Sequence, residues 1–167
     1  MTVVVFETHA TSEDNEAGIA TGWLPGRLSA AGREQARALG ERRRGDGIDA
    51  VFSSDLARAV ETAELAFGGS GIPVFLDWRL RECDYGELNG APRSVLDEQR
   101  LARVDEPWPG GESWSQAAAR VGRALDDLPD GRVVVIGHVA TRWALEQRVL
   151  GRPLAELAAE EFAWQPG

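Results

Sequence analysis

Val3-Val4-Val5-Phe6 runs into Glu7-Thr8-His9, and Val133-Val134-Val135-Ile136 runs into Gly137-His138. Each run is short, apolar and rich in β-branched residues, the pattern of a strand buried on both faces of a parallel sheet. Both predict central strands. Each delivers one of the chain's two histidines just past its end.

Working outward, 49–53 and 73–76 are weaker strand candidates bounded by turn residues. Apolar spacing of three and four predicts helices at about 30–44, 55–67, 114–128 and 139–150. Ser29, Ser54 and Ser113 are candidate N-caps for the first three. The alternation of strand and helix predicts an α/β sandwich around a mostly parallel sheet, one domain over residues 1–167. Two long segments, 10–28 and 77–112, lack clear periodicity, and in a compact domain such segments are usually functional loops. Their tryptophans read equally as lid residues or as loop packing. At 162–167 (F-A-W-Q-P-G) an edge strand is expected to continue.

With 18 basic and 27 acidic residues the net charge is −9, which disfavours nucleic acid or an anionic membrane surface as a partner. A phosphate ligand would need a local basic pocket. All basic residues are arginine, through coding bias or because guanidinium is the better bidentate phosphate ligand. The single cysteine, Cys83, excludes an internal disulfide, and two histidines with one cysteine make a structural zinc site a poor fit. No apolar run approaches a membrane span. Thr2 to Phe6 breaks at once into Glu7, unlike a signal peptide, so the expectation is a soluble cytoplasmic protein.

Ligands of open α/β sheets bind at the carboxyl ends of the strands, so His9 and His138 can converge on one site. A neutral imidazole can attack phosphorus, and an imidazolium or guanidinium can hold the phosphoryl oxygens. Arg58 follows the strand at 49–53 at the same sheet edge, with a surface pair to Glu61 as its alternative. Glu82, after the strand at 73–76, is the candidate proton donor to a leaving alkoxide, with a solvated loop acid as its alternative. Competing chemistries lack their parts. Asn89, not arginine, stands six residues after Cys83, there is no P-loop lysine, and no Asp-x-Asp stands at a strand end.

These residues resemble the histidine phosphatase superfamily, the phosphoglycerate-mutase-like proteins. The likeness begins at Phe6-Glu7-Thr8-His9-Ala10 and continues through Asn15, Thr21-Gly22-Trp23 and Leu28-Ser29 to Gly32. Further on it covers Ser53-Ser54-Asp55-Leu56 with Arg58-Ala59, Leu80-Arg81-Glu82, Pro109 to Ser113, and Val135-Ile136-Gly137-His138. The resemblance implies a three-layer α/β/α sandwich and a phosphohistidine intermediate without metal or other cofactor. His9 would be the nucleophile, Glu82 the acid and base, and Arg58 and His138 the oxygen ligands. Asn15, Thr21 and Gly22 would contact substrate. One departure stands out: the family's arginine before the nucleophile is Thr8 here, which offers a hydroxyl but no charge. Arg81 and Arg142 are candidate replacements, although Arg81 has Glu82 and Asp84 as potential partners and Arg142 reads equally as a surface residue.

The resemblance implies a phosphomonoesterase for a small phosphorylated metabolite, with turnover lowered by the change at Thr8. Phosphotransfer of the mutase type and phosphate binding with little catalysis are the alternatives. Mutases of the family are longer, whereas only 91–109 separate Gly90 from Gly110 here, which favours hydrolysis. Activity is expected to fall below pH about 6.5, where a free imidazole protonates.

Overall fold

The computed structural model describes residues 1–160. The chain runs through β1 (Thr2–Thr8), α1 (Glu13–Ala17), β2 (Ile19–Ala20), α2 (Ala30–Arg43), β3 (Ala50–Ser53) and α3 (Ala57–Phe67). It continues through β4 (Val74–Leu76), β5 (Ala91–Pro92), α4 (Arg93–Gln99), α5 (Trp114–Asp126), β6 (Gly131–Gly137), α6 (Val139–Leu150) and α7 (Leu154–Ala159). Four strands form a parallel sheet in the order β1-β6-β3-β4, while β2 and β5 make a small antiparallel pair.

Strand alternation divides the core into two layers. Val5, Val51, Val134 and Ile136 face α3, where Ala59, Ala63 and Phe67 meet them, and α2 packs on α3 from outside. Val4, Phe52 and Val135 face the other way, against α5 and α6. Helices thus cover both faces, giving the α/β/α sandwich. Val133 to Ile136 are completely buried. At about 1.5–3 kcal/mol per fully buried aliphatic side chain, this strand is a principal source of core stability.

Register places the histidines. Phe6 pairs with Val135 and Thr8 with Gly137, so β1 and β6 end level with one another. His9 N then donates to Gly137 O at 3.1 Å. Two strands far apart in sequence therefore release their histidines at the same height on the same sheet edge.

Several expectations need correction. β1 is not central: among the described residues it lies at the sheet edge, and its side chains are mostly half-buried. Ser29 and Ser113 do cap α2 and α5, but α3 begins at Ala57 with Leu56 at the N-cap. Ser54 lies two residues before that N-cap, and its Oγ accepts from Leu56 N at 3.2 Å instead. The segments 10–28 and 77–112 contain α1, β2, β5 and α4, which are too short to establish a period in sequence. The stretch 162–167 lies outside the described residues. Among the described residues no helix is long and apolar enough to cross a membrane.

Candidate active site

At the carboxyl edge of the sheet, the rings of His9 and His138 have centroids 5.0 Å apart, tilted by 52°. His9 Nδ1 lies 2.7 Å from the carbonyl oxygen of Ala10. A carbonyl only accepts, so Nδ1 carries the proton and Nε2 keeps its lone pair. Arg58, in the first turn of α3, donates from Nε to that Nε2 at 3.3 Å and from Nη2 to Gly22 O at 3.0 Å. His138 Nε2 lies 2.8 Å from Ser54 Oγ. Where the Ser54 hydroxyl donates to Nε2 while its oxygen accepts from Leu56 N, the proton of a neutral His138 lies on Nδ1. Among the described residues, His138 Nδ1 and Arg58 Nη1 are both buried without a hydrogen-bond partner.

Glu82 meets the N-terminus of α6. Its Oε1 accepts from Cys83 N at 2.9 Å and Ala140 N at 3.0 Å, and Oε2 accepts from Val139 N at 3.2 Å. Its backbone is held as firmly. Glu82 O accepts from Trp23 Nε1 at 2.7 Å and from Arg120 Nη2 at 3.1 Å. The guanidinium of Arg120 is itself buried and paired with Glu112 at 2.7 Å.

Burial dominates the protonation of all these groups. It lowers His9 to about 3, with the Arg58 charge adding to the effect and the Ala10 carbonyl opposing it. It holds His138 well below the ordinary imidazole range, again with help from Arg58. Burial pushes the Glu82 carboxyl above its ordinary value despite three backbone N–H donors and Arg58. The resulting set is a neutral imidazole whose Nε2 lone pair accepts from Arg58, a second imidazole, a cation and a carboxyl biased towards its acid form. Such a set can attack an electrophile, hold an anion and deliver a proton.

His9, Arg58, Glu82, Asn15, Thr21 and Gly22 line one cavity, whereas His138, Thr8 and Arg142 do not form its surface. Asn15 Oδ1 is used by the cap of α1, accepting from Ser12 N at 2.9 Å. Thr21 Oγ1 donates to Asp14 at 2.8 Å. Gly22 has φ +56°, and a Cβ there would fall 1.8 Å from Asn89 Oδ1, so only glycine brings its carbonyl to Arg58. Thr8 is half-buried in the β1 ladder.

Neither candidate replacement cation reaches the cavity. Arg142 is exposed and donates to Glu146 at 2.7 Å. Arg81 forms a fork with Asp55, at 2.6 and 2.7 Å, rather than pairing with Glu82 or Asp84. Nor does Arg58 pair with Glu61, whose carboxylate takes Arg33 at 2.7 Å. Sequence reading also missed the functions of Ser54 and Arg120 and the two α6 amides on Glu82. Ser54 stood within a quoted motif, but backbone amides and a helix-borne arginine leave no local signal.

Known proteins resemble the chain in sequence and in fold. The chain is 35% identical over 143 residues to "Probable phosphoglycerate mutase GpmB" of Salmonella typhi, an alignment covering 75% of this chain and 64% of that protein. Less than two thirds of the relative's length is therefore represented. Among solved structures, the mycobacterial glucosyl-3-phosphoglycerate phosphatase superposes with a TM-score of 0.79 at 30% identity, covering 93% of this chain and 82% of that one. The alpha-ribazole phosphatase of Shigella flexneri gives a TM-score of 0.78 at 26% identity, with the same coverages of 93% and 82%. Residues 4–164 match the model of the histidine phosphatase superfamily, branch 1, and the chain belongs to that superfamily.

Proposed function

We propose that this protein is a metal-independent phosphomonoesterase acting on a small phosphate ester through a phosphohistidine on His9. The observation that carries the reading is the pair of buried, unpartnered donors, Arg58 Nη1 and His138 Nδ1, beside an imidazole whose Nε2 has a lone pair. Unpaired buried donors cost about 1–3 kcal/mol each, a cost that a phosphoryl group would remove.

In the first step His9 Nε2 attacks phosphorus and the P–O ester bond breaks, its electron pair staying on the leaving oxygen. Glu82 gives that oxygen its proton. Arg58 transfers its Nε–H bond from the imidazole to a phosphoryl oxygen, and His138 donates to another. In the second step Glu82, now a carboxylate, takes a proton from water as the oxygen attacks phosphorus. The P–N bond breaks, its electrons return to Nε2, and inorganic phosphate leaves with Glu82 reprotonated. Raised affinity for the proton suits Glu82 to the first step, and the α6 amides stabilise its anion in the second.

Hydrolysis is favoured over mutase transfer by the short 91–109 segment. The test is a screen of phosphomonoesters with wild type and His9→Ala in the presence of a chelator. Wild type should release phosphate and carry acid-labile phosphate on His9. His9→Ala should lose at least about 10³-fold in kcat/KM. Equal turnover by both proteins would reject the mechanism.

A further inference from the structure

Ser54 touches His138 but takes no part in the phosphoryl and proton transfers. Its place is fixed by the sheet. Ser53 pairs with Ile136, so β3 delivers Ser54 beside the end of β6, and Ser54 N donates to Ile136 O at 3.0 Å. Ser54 O accepts from the Ser53 hydroxyl at 2.9 Å, and Ser54 Oγ accepts from Leu56 N at 3.2 Å in the turn that leads into α3. Both Ser54 and His138 are buried.

Counting donors and acceptors separates the two ways of placing the hydrogens. A serine hydroxyl has one hydrogen and two lone pairs, and a neutral imidazole has one N–H and one bare nitrogen. Burial keeps His138 neutral, so the ring has a single proton to place. Leu56 N uses one lone pair of Oγ, which leaves the hydrogen and the other lone pair for the 2.8 Å contact with His138 Nε2. With the proton on Nε2, the Ser54 hydrogen would have no acceptor among the described residues and Nδ1 would be a buried lone pair without a donor. With Nε2 bare, the serine is fully satisfied and only Nδ1–H stays open. Buried polar groups favour the arrangement with fewer orphans.

We propose that Ser54 is a positioning residue: its hydroxyl donates to His138 Nε2 and locks the imidazole in the Nδ1–H tautomer, the form able to donate to a phosphoryl oxygen. The partner of one ring nitrogen decides which nitrogen carries the proton, so without the serine hydroxyl that choice is no longer imposed. An imidazole protonated on Nε2 would offer the phosphoryl oxygen a lone pair in place of a hydrogen. The phosphoryl acceptor comes from the phosphatase reading, whereas the tautomer does not depend on it.

Isotope-labelled histidine, read by NMR of the ring nitrogens, tests the tautomer directly, and His9→Ala assigns the two rings. In wild type at neutral pH, His138 should show a protonated Nδ1 and a bare Nε2. Ser54→Ala should move the proton wholly or partly to Nε2. With phenyl phosphate, Ser54→Ala should lower kcat/KM about tenfold, against about 10²–10³-fold for loss of the donor itself in His138→Ala. In the His138→Ala background the same serine change should cost less than about twofold, because its effect passes through the imidazole. A protonated Nε2 in wild type, or an undiminished loss in the His138→Ala background, would overturn the inference while leaving the phosphatase reading intact. Absence of turnover by wild type, with Nδ1–H present there and lost in Ser54→Ala, would do the reverse. Should Ser54→Ala fail to fold, the wild-type spectrum alone decides.

Discussion

His9, His138 and Arg58 stand on or directly after β1, β6 and the start of α3, whereas Tyr85 and Trp108 come from the long segment 77–112. The first group is fixed by strand register: once Thr8 pairs with Gly137, the two imidazoles have little choice of position. The second group is fixed by ring packing, Tyr85 against Trp108 inside that segment and against Trp114 at the start of α5. Both hold a buried donor without a partner, the cation of Arg58 in the first group and the neutral indole of Trp108 in the second. The difference is one of support: the charged corner is held by the sheet, whereas Tyr85 and Trp108 stand on a connecting segment that can vary without disturbing it.

The hardest test of that division is Arg58→Met. Loss of the guanidinium should lower kcat/KM by about 10²–10³-fold, the range seen when one donor to a developing charge is removed. The factor should be similar for every ester, because the proposed mechanism has Arg58 act on the phosphoryl oxygens. A loss confined to one class of leaving group, measured across the ester panel, would break the comparison.

Thr8→Arg sharpens it from the other side. The family resemblance puts an arginine at this position, and neither Arg81 nor Arg142 supplies the missing charge, since both are committed to other carboxylates. The substitution should raise kcat/KM by about 10–100-fold, again for all esters alike, if the added bonds strengthen in the transition state. Arg142→Ala should change kcat/KM by less than about twofold, and the two effects should be additive, as for sites that share no partner. Strong coupling between them would show that Arg142 reaches the pocket in solution.

The smallest effect is one of pH. The expectation of an acid limb near 6.5 is corrected by burial, which lowers His9 to about 3. The sign is direct: a lowered imidazole value keeps the neutral nucleophile present as pH falls below the free value. With only two histidines in the chain, NMR can follow both rings individually. Neither should titrate between pH 5 and 8, a window around the free imidazole value. A ring titrating near 6.5 would mean that water reaches the charged corner as freely as the surface.

The runs Val3–Phe6 and Val133–Ile136 were legible as strands because each is a short, unbroken apolar run, although only Val133–Ile136 is buried on both faces of the sheet. The positions of His9 and His138 followed from chain distance alone. Arg58 and Glu82 were legible as candidates through spacing and resemblance, and the structure brings both to the same cavity as His9. Tertiary structure decided the rest, because it depends on distances between residues remote in sequence. Ser54 reaches His138 across 84 positions, and Glu82 meets the α6 amides across 57 and 58. Arg142 shows how fine the difference is. A helix turns about 100° per residue, so Thr141 is fully buried while Arg142, one position on, faces solvent and Glu146. Local sequence could determine which residues leave the sheet edge together; only packing could determine which cation turns inward, which imidazole stays uncharged, and which rings surround them.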